Sequence, residues 1–274
     1  MDQKYEMLAV TIADGIAHVE LDNPTRANAL SAAFWDDLPR LADALDADSR
    51  VRAVVISGRG RHFTAGIDLN MFAAFAPDPA ADPARVREKL FRRIRAMQET
   101  FSSLERCRKP WIAAVHGACL GAGVDLVTAC DLRFAARDAE FAIQEINIGM
   151  VADVGTLQRA PRLLPEGIVR ELAYTGRRMA AEEAARYGFV NGLADDREGA
   201  MAAAMEAART IAAKSPLAIA GTKEVLNHAR DHTIEDGLRH VAAWNAGMLI
   251  GSDLMKGAAA ALSKQTPDYD DLME

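Results

Sequence analysis

Cysteine is scarce in this chain: Cys107, Cys119 and Cys130 are the only three in 274 residues, with no C-x-x-C spacing and no histidine cluster beside them. A disulfide framework needs paired cysteines and a structural zinc needs clustered ligands, so neither organises this fold. Positive charge is not in excess either. The formal net charge of -7 argues against a nucleic-acid binder, which presents a basic face to displace counterions from phosphates. No apolar run reaches the roughly 18 to 20 residues that cross a bilayer. The opening MDQKYEMLAV has no charged region followed by an apolar core and a cleavage site, and the closing Leu272-Met273-Glu274 is not the Ser-Lys-Leu address. A soluble cytoplasmic protein is the expectation. Fixed-period repeats are missing, as are the phosphate loop G-x-x-x-x-G-K-[ST], the dinucleotide loop G-x-G-x-x-G, the serine elbow G-x-S-x-G and the zinc helix H-E-x-x-H. Nucleotide-loop, serine-hydrolase and zinc-protease readings therefore have nothing to rest on.

What is present is ordinary globular usage, half hydrophobic and 26% charged, in a chain long enough to bury a sizeable core. LAVTI (8–12) and IAHVEL (16–21) flank Asp14-Gly15, the signal of a β-hairpin. Ser31 is placed to cap a helix with Phe34, Leu38, Leu41 and Leu45 on one face. VRAVVISG (51–58) and WIAAVHG (111–117) are apolar runs closed by glycine, the pattern of buried strands. Pro77, Pro79 and Pro83 mark a loop, after which helix resumes near Val86 and stops before Lys109-Pro110. Gly121 and Gly123 open a helix through Cys130, and residues 131–143 supply a further pair of short strands. Strands alternating with helices predict an α/β layer fold. From Pro161 onward the chain is Ala-rich and helical, with Ser215-Pro216 and Thr233 to Asp236 as helix starts.

Candidate chemistry lies at two glycine-containing turns that follow strands, residues 63–69 and 116–126. Each can offer backbone N–H groups to a negative oxygen, although glycine after a strand also serves simply to make a tight turn. The acids that stand out are Asp125, in the opening turn of an apolar helix, and Glu145 and Asp153, in a largely apolar stretch. Their plain structural readings are a carboxylate at a helix N-terminus for Asp125, a strand end for Glu145 and an N-cap for Asp153. The lone His116 and the arginines Arg26, Arg92, Arg93 and Arg95 read as structural or solvated groups.

The combination of Asn23-Pro24, Asn28-Ala29-Leu30, Thr64-Ala65-Gly66-Ile67-Asp68-Leu69, Lys109-Pro110, Ala113-Ala114-Val115-His116-Gly117 and Gly121-Ala122-Gly123-Val124-Asp125-Leu126 resembles the enoyl-CoA hydratase/isomerase (crotonase) superfamily. The likeness runs in order from about residue 8 to about residue 260. It implies a crotonase (ClpP-like) spiral of ββα units over residues 1–200 and a helical C-terminal region, 201–274, that assembles a homotrimer or a hexamer of two trimers. Within the superfamily, GVDLVTACDLRF with EINIGMVADVGTLQR is similar to the dienoyl-CoA isomerases, which convert 3,5-dienoyl-CoA into 2,4-dienoyl-CoA in fatty-acid β-oxidation. Hydratases of the family usually carry Glu at the position of Asp125 and Gly at that of Asp153.

The resemblance assigns Asp125, Glu145 and Asp153 as acid and base groups, and the N–H groups of Ile67 and Ala122 as an oxyanion hole for the thioester. It places Arg26, Ala27, Ala65, Gly66 and Asp68 along coenzyme A, and Met71, Phe72 and Phe75 are the expected acyl pocket. No metal or separate cofactor is implied, coenzyme A being part of the substrate, and neither nucleic acid nor membrane is an expected partner. Two other readings stand beside this one: a 2-enoyl-CoA hydratase working through Asp125 and Glu145, and a non-catalytic acyl-CoA or RNA-binding relative. One departure is Gly121-Ala122-Gly123 where the family more often has three glycines. If position 122 required a positive φ, its methyl group would strain the hole.

Overall fold

The computed structural model describes residues 4–75 and 81–273, with the side chains of 73–75 left out. Its first strands, β1 (Leu8–Ala13) and β2 (Ile16–Leu21), pair antiparallel with Leu8 opposite Leu21. Asp14 and Gly15 between them both hold positive φ, 51° and 76°, as a two-residue hairpin turn of type I′ demands. Helix α1 (Ala32–Ala47) buries Phe34, Leu38, Leu41 and Leu45, the face its spacing predicted. Ser31 occupies the N-cap position without capping, because its hydroxyl lies 2.9 Å from Met7 Sδ instead. Strand β3 (Ala53–Gly58) is buried throughout.

Helix α2 (Pro83–Arg106) opens earlier than Val86, since Asp82 accepts from the Arg85 N–H at 3.0 Å and Pro83 fills the first helical position, where an N–H is not needed. Next come β4 (Trp111–Val115), β5 (Ala118–Leu120), α3 (Ala122–Ala129), β6 (Leu132–Ala136) and β7 (Glu140–Ala142). A 3-10 turn (Glu145–Ile148) leads to α4 (Thr156–Arg159), α5 (Glu166–Thr175), β8 (Met179–Ala180), α6 (Ala181–Arg186) and β9 (Gly192–Ala194). Four helices close the chain: α7 (Arg197–Ala212), α8 (Pro216–Asp231), α9 (Ile234–Met248) and α10 (Ser252–Ser263).

The strands form two sheets, β1-β2-β3-β4-β6-β9 and β5-β7-β8. In the larger sheet every pairing but that of β1 with β2 is parallel, so right-handed crossovers wind the chain into a spiral of strand and helix units. The two strands expected in residues 131–143 do not pair with each other. Strand β6 joins β4 and β9, whereas β7 joins β5, because the Glu140 N–H bonds the Gly117 carbonyl and turns the chain into the second sheet. Residues 118–120, read from sequence as part of a glycine turn, are strand β5, extended by a parallel bridge from Thr64 to Cys119.

One core fills the space between the sheets and α1 to α3, and a second lies between the large sheet and α7, where Ala204, Ala208 and Ala212 meet Ile16, Val55 and Ile112. Alanines at every fourth position let that helix approach the sheet closely. Residue 200, the boundary expected between core and C-terminal region, falls inside α7, and α7 belongs with the sheet it covers. Helix α8 is anchored by the buried Lys223, whose Nζ donates to the Leu104 carbonyl and to Asp131 Oδ2, both at 2.8 Å. Beyond it, α9 and α10 leave Leu238, Met255 and Leu262 exposed. Among the described residues no helix is long and apolar enough to cross a membrane.

Candidate active site

Two backbone turns meet at the tips of the sheets. Leu30 and Ile67 form a parallel bridge in which the Leu30 N–H bonds the Gly66 carbonyl (2.8 Å) and the Asp68 N–H bonds the Leu30 carbonyl (3.0 Å). The groups flanking Ile67 thus face Leu30, and the N–H of Ile67 itself points the other way. Ala122 is the first residue of α3, where an N–H has no acceptor within its own helix. Neither N–H donates to a protein acceptor among the described hydrogen bonds, and both residues line one cavity. The turns touch at Gly66: with φ of +89°, a Cβ there would sit 2.6 Å from the Leu120 carbonyl oxygen. In the second turn Gly117 and Gly121 hold positive φ, +54° and +52°, while Ala122 has an ordinary helical backbone. The strain anticipated from the Ala122 methyl is absent for that reason.

The cavity, of about 250 Å³, has Glu145 and Asp153 among its walls together with Ile67 and Ala122. Its other walls are apolar: Trp35, Phe72, Leu90, Ile94, Met97, Ile148, Met150 and Val154. Of the expected acyl-pocket residues, Phe72 is there. Met71 is turned against the hydrophobic core instead, on another side of the 3-10 turn that carries both, and the side chain of Phe75 lies outside the described residues. The lining from α2 was missed from sequence, although Leu90, Ile94 and Met97 form a helical stripe on an otherwise polar helix and could have revealed it.

Asp125 is fully buried and does not line the cavity. Its Oδ1 accepts the Thr156 N–H at 2.5 Å, so this carboxylate serves the N-terminus of α4 and not that of its own helix. Asp125 Oδ2 and Glu145 Oε2 are buried without a hydrogen-bond partner. An unpaired buried carboxylate oxygen costs a fold several kcal/mol unless it is protonated, which makes the pair costly as scaffolding and useful as chemistry. Burial, then the charge of Glu145, raises Asp125 from its ordinary value to about 7, against the pull of Thr156 and Arg159. Glu145 is raised by burial and by Asp153, and Asp153 by burial. Gly149, at φ of 75°, ends the 3-10 turn after Glu145 and brings Asp153 back to the same cavity. The cap of α4 is Gly155, so the N-cap reading of Asp153 is set aside.

The residues expected along coenzyme A contact one another and do not line this cavity. The Ala65 N–H bonds the Ala27 carbonyl (2.8 Å), and Arg26 pairs with Asp68 at 3.1 Å. Ala27 and Asn28 both take positive φ, 50° and 53°, and the buried Asn28 holds that bend by donating to the carbonyls of Arg59 and His62 at 2.9 Å. The half-exposed Arg26 guanidinium remains accessible to an anion.

A spiral of strands and helices, a pair of N–H groups without a protein acceptor among the described residues and a carboxylate-lined cavity are what this site offers, and residues 11–271 match the Enoyl-CoA hydratase/isomerase family. The chain belongs to that family and has the crotonase fold. It is 45% identical to the mitochondrial Delta(3,5)-Delta(2,4)-dienoyl-CoA isomerase of Homo sapiens over 262 residues, 94% of this chain and 80% of that protein. It is 39% identical to the peroxisomal Delta(3,5)-Delta(2,4)-dienoyl-CoA isomerase of Arabidopsis thaliana, covering 96% of each. Among solved structures, a putative enoyl-CoA hydratase from Streptomyces coelicolor A3(2) superposes with a TM-score of 0.88 at 31% identity, covering 97% of this chain and 95% of that one.

Proposed function

We propose that this enzyme shifts the double bonds of a 3,5-dienoyl-CoA to give the 2,4-dienoyl-CoA. The observation that carries the reading is the pairing of Glu145 with Asp153 on one cavity while Asp125 is withdrawn from it. Moving the diene removes a proton from C2 and adds one at C6, so the two proton-transfer groups must stand apart along an extended chain. Hydration needs two carboxylates on a single water. Here the carboxylate at position 125 is one methylene shorter than the Glu usual in hydratases and is bound to Thr156.

In this reading the thioester oxygen sits between the N–H groups of Ile67 and Ala122, which stabilise the enolate as charge develops. Glu145 takes the C2 proton, Asp153 delivers a proton to C6, and Asp125 orients the segment through Thr156 and influences the protonation of its neighbours. Three carboxyl groups in a dry site do not ionise independently, and burial, which raises Asp153, favours the protonated form that it needs. The apolar walls from α1 and α2 receive the acyl chain beyond C6. Arg26, Ala27, Ala65, Gly66 and Asp68 follow the coenzyme A, and the reaction asks for no metal, nicotinamide or flavin. A trimer or hexamer and a cytoplasmic setting complete the proposal.

The deciding experiment gives the enzyme 3,5-dienoyl-CoA and 2-enoyl-CoA side by side. Formation of the conjugated 2,4-dienoyl product with little hydration supports the reading. Hydration without isomerisation overturns it.

A further inference from the structure

The segment that carries Asp153 and the Thr156 N–H is gripped from outside by side chains the reaction does not touch. Gln98 Nε2 donates to the Asp153 carbonyl at 2.7 Å. Arg159 reaches back from α4, its Nη1 3.4 Å from the Val154 carbonyl, and its Nη2 donates to Ser102 Oγ (3.1 Å) and Glu105 Oε2 (2.6 Å). The guanidinium lies on Gly155 so tightly that a Cβ there would sit 1.7 Å from Nη1, and the φ of +133° excludes a side chain in any case. Glu105 is shared in turn, its other oxygen paired with Arg230 of α8.

This is not a solvated surface pair: the side chains of Arg159 and Glu105 are 12% and 15% exposed. Burial pushes the Glu105 carboxyl up, but Arg159 and Arg230 outweigh it and hold the group below its ordinary range. The far side of the clamp is a solvent-facing cavity of about 560 Å³ lined by Arg95, Gln98, Arg162 and Arg230. The near side is the backbone of residues 153–156. Because Arg159 grips that backbone immediately before Thr156, its position fixes both the Asp153 carboxylate in the cavity and the N–H that Asp125 accepts.

We propose that Arg159, locked by Ser102 and Glu105, is a positioning residue that sets the catalytic geometry of residues 153–156 without touching substrate. The inference rests on the reading of the site given above. The charge of Arg159 also acts on Asp125, whose other titratable neighbours are Glu145 from the 3-10 turn and the Cys119 thiol of β5.

The test compares Arg159→Lys, Arg159→Met and Glu105→Gln in the full chain, each checked by thermal melting and assayed well below its own melting temperature. Lysine keeps the charge and loses the fork; methionine loses both; Glu105→Gln leaves the charge and weakens the lock. All should lower kcat roughly 10- to 100-fold with KM within about twofold of the parent. A second readout needs no turnover: the infrared carboxyl band of substrate-free enzyme, assigned to Asp125 by its loss in Asp125→Asn. Its titration should move above about 7 in Arg159→Met and stay in Arg159→Lys. An unchanged kcat in folded Arg159→Met, or an infrared titration that stays in place there, overturns the proposal. Failure of the parent to isomerise dienoyl-CoA would instead strike the functional reading, since the infrared result is independent of it.

Discussion

Asp125 joins the site to the stability of the fold, because its carboxyl is buried, half-satisfied and raised to about 7. A carboxyl whose folded value lies above its unfolded value of 3.8 stabilises the fold when protonated. That contribution is complete below about pH 4 and is lost as pH rises through about 7. The parent should therefore lose stability to urea between about pH 4 and 7, by at most on the order of 4 kcal/mol, and Asp125→Asn should flatten the dependence. A steeper profile in Asp125→Asn would contradict the assignment. For Asp153, replacement by Asn removes a proton donor while keeping the shape, and kcat for dienoyl isomerisation should fall about 10²- to 10⁴-fold. Ala122→Gly should leave kcat within a few-fold, as the backbone there is already helical. Ala122→Pro deletes the N–H at a position where helices accept proline, and should cost about 2.7 to 4 kcal/mol in kcat.

At the scale of elements, the site depends on turns meeting and on helices that pin them. Gly66→Ala would push a methyl into the Leu120 carbonyl and strain a left-handed backbone, separating the Ile67 and Ala122 donors. The expected result is a fall in kcat of about 10²-fold or more in a protein that still shows cooperative unfolding. Helix α8 is pinned through the buried Lys223, and removing it leaves the Asp131 carboxylate without its cation. Lys223→Met should lower the free energy of unfolding by about 3 kcal/mol, read from urea midpoints at constant slope. A change under about 0.5 kcal/mol would show that α8 is held by its apolar contacts alone.

At the scale of the whole molecule, exposed apolar surface bears on assembly. Helices α9 and α10 and the turn between them carry Ile234, Leu238, Ile250, Met255 and Leu262 on exposed surface, at 85%, 59%, 94%, 70% and 89%. So many large apolar side chains on neighbouring helices form a patch of the kind that other subunits cover. Light scattering should give three or six times the chain mass of 29.6 kDa, and Leu238→Glu with Met255→Glu should shift the particle toward monomer. A parent that is monomeric at micromolar concentration would refute that assembly.

Local physics made much of this protein legible. The Asp14-Gly15 turn, the helical face of Phe34 to Leu45 and the glycine-bounded strands are dictated by near neighbours, and the structure has each of them. The acids could be singled out because charge is rare in apolar stretches, and the motif order carried their family likeness. Tertiary structure decided what depends on distant pairing: that β6 and β7 enter different sheets, that α7 covers the large sheet, and that α2 walls the cavity. It also separated the three acids. Asp153 and Glu145 reach one cavity because the chain reverses at Gly149, whereas Asp125 turns to a helix 31 residues away in sequence. No spacing rule contains that choice, because the hydrogen bond that makes it joins parts of the chain brought together only by folding.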